Sequence, residues 1–130
     1  MLRSLPPRGT TFNIISFGSS ASSLWPSNVP YTAESVKAAS VHVDTMSSNF
    51  GGTEIRLALK AAFKSRSDIT IPATVFILTD GQASDLEGVK TAIAGAVKQA
   101  KAFGSLLRVF SMGIGNAVSK VCLFSLMMLY

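Results

Sequence analysis

The sequence predicts an α/β domain built on a doubly wound, mostly parallel sheet, and three observations predict it. Apolar runs of strand length alternate with segments whose apolar residues recur every three or four positions. The clearest run, Ala73-Thr74-Val75-Phe76-Ile77-Leu78-Thr79, has little alternation, as expected of a strand covered on both faces. Glycine-bearing turns follow the strand-like runs at Gly18-Ser19-Ser20, Thr79-Asp80-Gly81 and Gly113-Ile114-Gly115, where open sheets of this kind hold their ligands.

Taken in order, Phe12 to Phe17 reads as one buried strand, ended by Gly18 and a serine-rich loop. Leu24-Trp25-Pro26 suits a short edge strand, because Pro26 has no N–H for a ladder. Thr32 caps a helix whose inner stripe is Val36, Ala39, Val43 and Met46. A second helix begins near Thr53, with Ile55, Ala58, Leu59, Ala62 and Phe63 facing inward. Asp68 to Pro72 connects it to the 73–79 strand. Ser84 and Glu87 form a capping box for a third helix, lined by Leu86, Val89, Ile93, Val97, Ala100 and Phe103 and stopped at Gly104. Leu106 to Met112 is the next strand.

A chain of 130 residues is one domain or part of one. With 48% hydrophobic and 15% charged residues it has the composition of a packed domain rather than a disordered one. The net charge of +5 comes from scattered residues. Arg56, Lys60 and Lys64 share one helix face and read as a solvated surface, with none of the interleaved aromatics a nucleic-acid groove uses. The lone Cys122 rules out an internal disulfide and suits a reducing compartment, so a cytoplasmic location is expected, with a secreted one as the alternative. Residues 121–130 are strongly apolar but half the ~20 residues a membrane helix needs, so no membrane span is expected.

The residues that bear chemistry are few. Thr53 stands at a helix start behind the flexible pair Gly51-Gly52, and Asp80 stands at a strand end before Gly81. Singly, Thr53 reads equally as an N-cap and Asp80 as an Asx-turn residue. Together, in this order and with a helix between them, they read as two hard oxygen ligands facing one crevice. His42 reads as a helix-surface histidine, and Asp44, two positions on, does not face it. Gly113-Ile114-Gly115 lacks the third glycine of a dinucleotide turn, since Val118 occupies that place, and a tight turn is the simpler reading.

The runs 12–18, 50–55, 75–81 and 109–115 together resemble the von Willebrand factor A domain family. Leu24 to Tyr31 and Val43 to Glu54 resemble in particular the A domains of proteins that also carry a vault-protein/inter-alpha-trypsin (VIT) domain. The resemblance implies a non-enzymatic interaction module with a metal-ion-dependent adhesion site. In that family Mg²⁺ is held by an Asp-x-Ser-x-Ser loop after the first central strand, a threonine and an aspartate, and a partner's carboxylate completes the coordination. The threonine corresponds to Thr53 and the aspartate to Asp80, with Gly51, Gly52 and Gly81 shaping the loops. The sequence contains no Asp-x-Ser-x-Ser, and the resemblance covers residues 2–119, leaving 120–130 as a non-family apolar tail.

The expectation is therefore a partial A domain that lacks the family's first strand. Mg²⁺ seeks near-octahedral oxygen coordination, usually with one or two carboxylates. One hydroxyl and one carboxylate fall short of that, so weak or no intrinsic Mg²⁺ binding is expected, with an acidic protein as partner. The first alternative is a fragment without function from a truncated gene model. A distant second is a nucleotide-binding enzyme built around Gly113 to Val118.

Overall fold

The computed structural model describes residue 6 and residues 8–46, 54–79 and 85–113. Its elements, in chain order, are β1 (Thr11–Phe12), β2 (Ile15–Phe17), β3 (Ala21–Ser23), β4 (Val29–Pro30), α1 (Ala33–Thr45), α2 (Ile55–Lys64), β5 (Ala73–Thr79), α3 (Leu86–Ala102) and β6 (Leu107–Gly113). This is the expected mixture of strands and helices around a parallel pair.

β5 and β6 run parallel in full register, from Ala73 opposite Leu107 to Thr79 opposite Gly113. The whole of α3 forms the crossover between them, as parallel strands require. One face of this pair meets the helices. Ile77 and Val109 pack with Ile55 and Leu59 of α2 and with Val89 and Ile93 of α3, and Phe17, Phe63, Val75, Leu86 and Val97 close around them. The stripes expected along α2 and α3 lie in this core, except that Phe103 is exposed at the end of α3. Arg56, Lys60 and Lys64 form the expected solvated face of α2.

The opposite face departs from expectation. β5 alternates between packed and exposed residues, and Thr74, Phe76 and Leu78 stand in solvent. The apolar run had suggested cover on both sides. Uniform hydrophobicity records what a strand is able to bury, not what is present to bury it.

The amino-terminal strands also differ. The expected single strand from Phe12 to Phe17 is two short ones, β1 paired with β4 and β2 with β3, both antiparallel. Asn13 causes the break. Its Nδ2 donates to the Trp25 carbonyl at 2.9 Å, and its Oδ1 accepts from the Ile14 N–H at 2.8 Å and the Trp25 N–H at 3.2 Å. A side chain thus takes the place of a ladder rung. The partner strand β3 falls in the serine-rich segment, and Leu24-Trp25-Pro26 is a bend rather than an edge strand. Trp25 and Tyr31 pack edge-on against Phe12, with ring centroids 5.4 and 5.8 Å away. Among the described residues β2 and β5 are not paired with each other.

Thr32 caps α1 as expected, in a reciprocal box with Ser35: Thr32 Oγ1 accepts from the Ser35 N–H at 3.1 Å, and Ser35 Oγ accepts from the Thr32 N–H at 2.9 Å. The helix is turned from the expected stripe. Ala39 is its fully buried residue, while Val43 and Met46 are exposed. The turn brings His42 inward, its Nε2 3.2 Å from Oγ of buried Ser16, which corrects the reading of a surface histidine. The cap of α3 falls one residue later than expected, at Asp85, whose Oδ1 accepts from the Gly88 N–H at 2.8 Å. Ser84 lies outside the described residues. Gly104 stops α3 with a φ of 70°, a backbone conformation natural to glycine.

Two predictions follow from this packing. Ile93 is 0% exposed at the centre of the core, so Ile93→Ala should cost about 2–5 kcal/mol, whereas Phe103→Ala should cost less than about 1, both read from urea midpoints. Asp68 Oδ1 accepts from the Thr70 hydroxyl at 2.6 Å and the Thr70 N–H at 2.8 Å, and these bonds, the hydroxyl's first, hold its carboxyl below the usual range. A carboxylate so depressed adds stability above its unfolded pKa and loses it as pH falls through the folded one. Thr70→Ala should raise the Asp68 pKa toward the ordinary carboxylate value in an NMR titration, and an unmoved titration would refute the assignment.

Candidate functional site

Thr53, Asp80 and the shaping residues Gly51, Gly52 and Gly81 lie outside the described residues, and their frame is defined by the residues that adjoin them. The Glu54 N–H donates to the Gly18 carbonyl at 2.9 Å. The residue after Thr53 is thereby tied to the turn that leaves β2. Ile55, the next residue, is 1% exposed in the core and anchors the start of α2. On the other side Thr79, the residue before Asp80, is buried and stands opposite Gly113 at the shared carboxyl end of β5 and β6.

The starts of α2 and α3 are joined directly. Arg56 Nη1 donates to Asp85 Oδ2 at 2.8 Å, and the other oxygen of the same carboxylate caps α3 at the Gly88 N–H. Gly88 makes room for this arrangement, since a Cβ there would fall on the Asp85 carboxylate and lie 2.8 Å from Arg56 Nη1. The segment preceding α2 and the segment preceding α3, which carry Thr53 and Asp80, thus end at two helix starts held together by one carboxylate. Sequence reading missed Arg56 and Asp85 as a pair. They are twenty-nine positions apart, and nothing in helix periodicity links them.

Chemically, a hydroxyl and a carboxylate are the hard oxygen donors that Mg²⁺ prefers, but they fill two positions of a near-octahedral shell. Among the described residues no group of three or more His, Cys, Asp or Glu is placed to hold a metal. A separate depression of about 330 Å³, lined by Trp25, Val29, Pro30, Thr32, Glu34 and Ser35, contains none of the candidate residues. Gly113 ends β6, and the remainder of the Gly113 to Val118 stretch lies outside the described residues. No helix among the described residues is long and apolar enough to cross a membrane.

A parallel strand pair crossed by a helix defines a Rossmann-like α/β domain. The family profile of the von Willebrand factor type A domain matches residues 1–127, and the chain belongs to that family. It is 36% identical over 119 residues to von Willebrand factor A domain-containing protein 5A of Rattus norvegicus, a match spanning 92% of this chain and 14% of the relative. The Homo sapiens protein of that name is 34% identical over the same spans. A von Willebrand factor A domain-containing protein of Dictyostelium discoideum is 33% identical over 109 residues, 84% of this chain and 11% of its own. The chain therefore spans about a seventh or less of the length of these relatives.

The Asp85 carboxylate does two jobs with unequal energies. Asp85→Ala should cost about 1 kcal/mol, the usual worth of an N-cap. Arg56→Ala should cost no more than a few tenths, because the ion pair is 45% exposed on each side and screened by water. Urea unfolding of the two variants checks this, and equal losses would show that the ion pair, not the cap, is the main contribution.

Proposed function

We propose that this chain is a non-catalytic protein-interaction module whose contact surface is the loop cluster ahead of α2 and α3. Thr53 and Asp80 form the remnant of a metal-ion-dependent adhesion site. The partner is a protein presenting an acidic side chain. The observation that supports this reading is the tie between Glu54 and the Gly18 turn together with the Arg56–Asp85 bridge, which join that turn to the start of α2 and the start of α2 to that of α3.

In this reading Mg²⁺ would supply a positive centre shared between the loops and an incoming carboxylate. The chain's own hydroxyl and carboxylate orient that centre but hold it weakly until the partner arrives. The net charge of +5 adds a general attraction for acidic surfaces. The parent protein is proposed to be of the VIT-domain-containing group, and a cytoplasmic setting fits the single cysteine. A second reading, a fragment without partner chemistry, draws support from the exposed apolar side of β5 and β6, a liability for an isolated chain.

Two measurements test the proposal. Calorimetry should detect no micromolar Mg²⁺ binding by the chain alone, and micromolar binding lost in Asp80→Ala would contradict the weak-site assignment. Binding to arrayed peptides graded by acidic content should rise with Asp and Glu in millimolar Mg²⁺, vanish with a chelator, and fall about tenfold or more, at least 1.4 kcal/mol, in Asp80→Ala. Binding indifferent to acidity or to Asp80 favours the second reading.

A further inference from the structure

Asn13 gives up a place in a strand ladder and holds Trp25 instead. Its side chain bonds both the N–H and the carbonyl of Trp25. Phe12 braces the indole edge-on, with ring centroids 5.4 Å apart. The half-buried indole then lines the depression of about 330 Å³, where Val29, Pro30 and Ala38 are the other apolar members. That volume falls at the low end of the range for ligand pockets. A local rule broken to fix one aromatic residue is a mark of a functional position, and a ring fixed in advance loses little entropy on binding.

The polar groups of the depression select the charge of its occupant. Thr32 and Ser35 are spent on each other in the reciprocal cap, and Ser35 Oγ donates to the Pro30 carbonyl at 2.8 Å. Two donors at the start of α1 are thus held by side chains rather than offered to an anion. Glu34 differs from both. It is exposed, it is the one charged residue lining the depression, and it has no ion-pair partner among the described residues. Lys37, one helical turn on, lies outside the lining.

We propose that this depression takes the guanidinium of an arginine presented by a partner protein. Tryptophan is the best of the aromatic rings for a cation, and a guanidinium both stacks on such a ring and forks onto a carboxylate. The apolar stem of the same side chain suits Val29, Pro30 and Ala38. Arginine and tryptophan are also the residue types that dominate protein contacts when seated in a pocket. At 0.15 M salt the Debye length is about 8 Å, so the carboxylate in the depression outweighs the scattered net charge of +5. None of the residues ahead of α2 and α3 lines this depression, so it is a second contact surface with the opposite charge preference.

Trp25 is the only tryptophan of the chain, so its fluorescence reports on the depression directly in the full chain. Titration with the peptide acetyl-Gly-Arg-Gly-amide at about 0.15 M salt should give a saturable change in emission and move the amide NMR signals of residues 31–38. The citrulline peptide, of the same shape without the charge, should bind about tenfold or more weakly, and the glutamate peptide should not bind. Glu34→Gln, at an exposed position, should weaken the arginine peptide by about fivefold or more, while Glu87→Gln and a metal chelator should leave it unchanged. Equal binding of the arginine and citrulline peptides overturns the proposal on the unaltered chain. So do an absence of saturation up to about 10 mM peptide, an unmoved titration in Glu34→Gln, or binding that is lost with the chelator.

Discussion

The helix-facing side of the β5–β6 pair is the constraint on which the rest depends. Ile77 and Val109 form a floor on which α2 and α3 are seated through Ile55, Leu59, Val89 and Ile93. Burying such side chains contributes on the order of 1.5–3 kcal/mol each before the entropy of ordering is set against it. The seat also fixes direction. Because β5 and β6 are parallel, α3 must run back along the sheet and start at the carboxyl end of β5. Ile55 holds α2 by its first turn in the same core, so its start lies beside that of α3, at bridging distance from Asp85. The positions of the two helix starts follow from the packing beneath them.

Polar contacts then refine what packing has positioned. The Gly18 carbonyl, where β2 ends, accepts from the Glu54 N–H at the start of α2. The Asp85 carboxylate satisfies a donor of α3 and draws Arg56 across with its second oxygen. Neither contact is strong alone, since one is a single backbone bond and the other is half exposed. Their effect is geometric: each turns a helix start, already near its place, into a fixed boundary for the loop before it.

What the sequence made legible follows from how local each signal is. The span of β5, the inner stripe of α2, the Thr32 cap and the Gly104 stop were all readable, because each depends on residues within a few positions of one another. The split of the first strand was not, because it rests on Asn13 reaching Trp25 twelve positions away. The turn of α1 was also missed. Four apolar residues at helical spacing fitted a stripe through Val43 and Met46, but the neighbour at that helix is the hydroxyl of Ser16, which meets His42 Nε2 at 3.2 Å and Met46 Sδ at 3.8 Å. The Arg56–Asp85 link joins two helices and leaves no local trace. Of the candidate site, Thr53 and Asp80 are proposed from turn chemistry and order along the chain and lie outside the described residues, while the contacts of the residues beside them came only from the fold.

The bare side of β5 and β6 connects these points. A strand's composition reflects every surface it is built to meet, and β5 is as apolar on its outer side as on its inner one. In Phe76, Leu78, Phe110 and Met112 the sequence carries a demand for cover that α2 and α3, committed to the other side, cannot meet. α1 is a poor candidate, because its His42 already engages Ser16 of β2. Seating both helices on one side of the pair is what leaves Phe76, Leu78, Phe110 and Met112 exposed on the other.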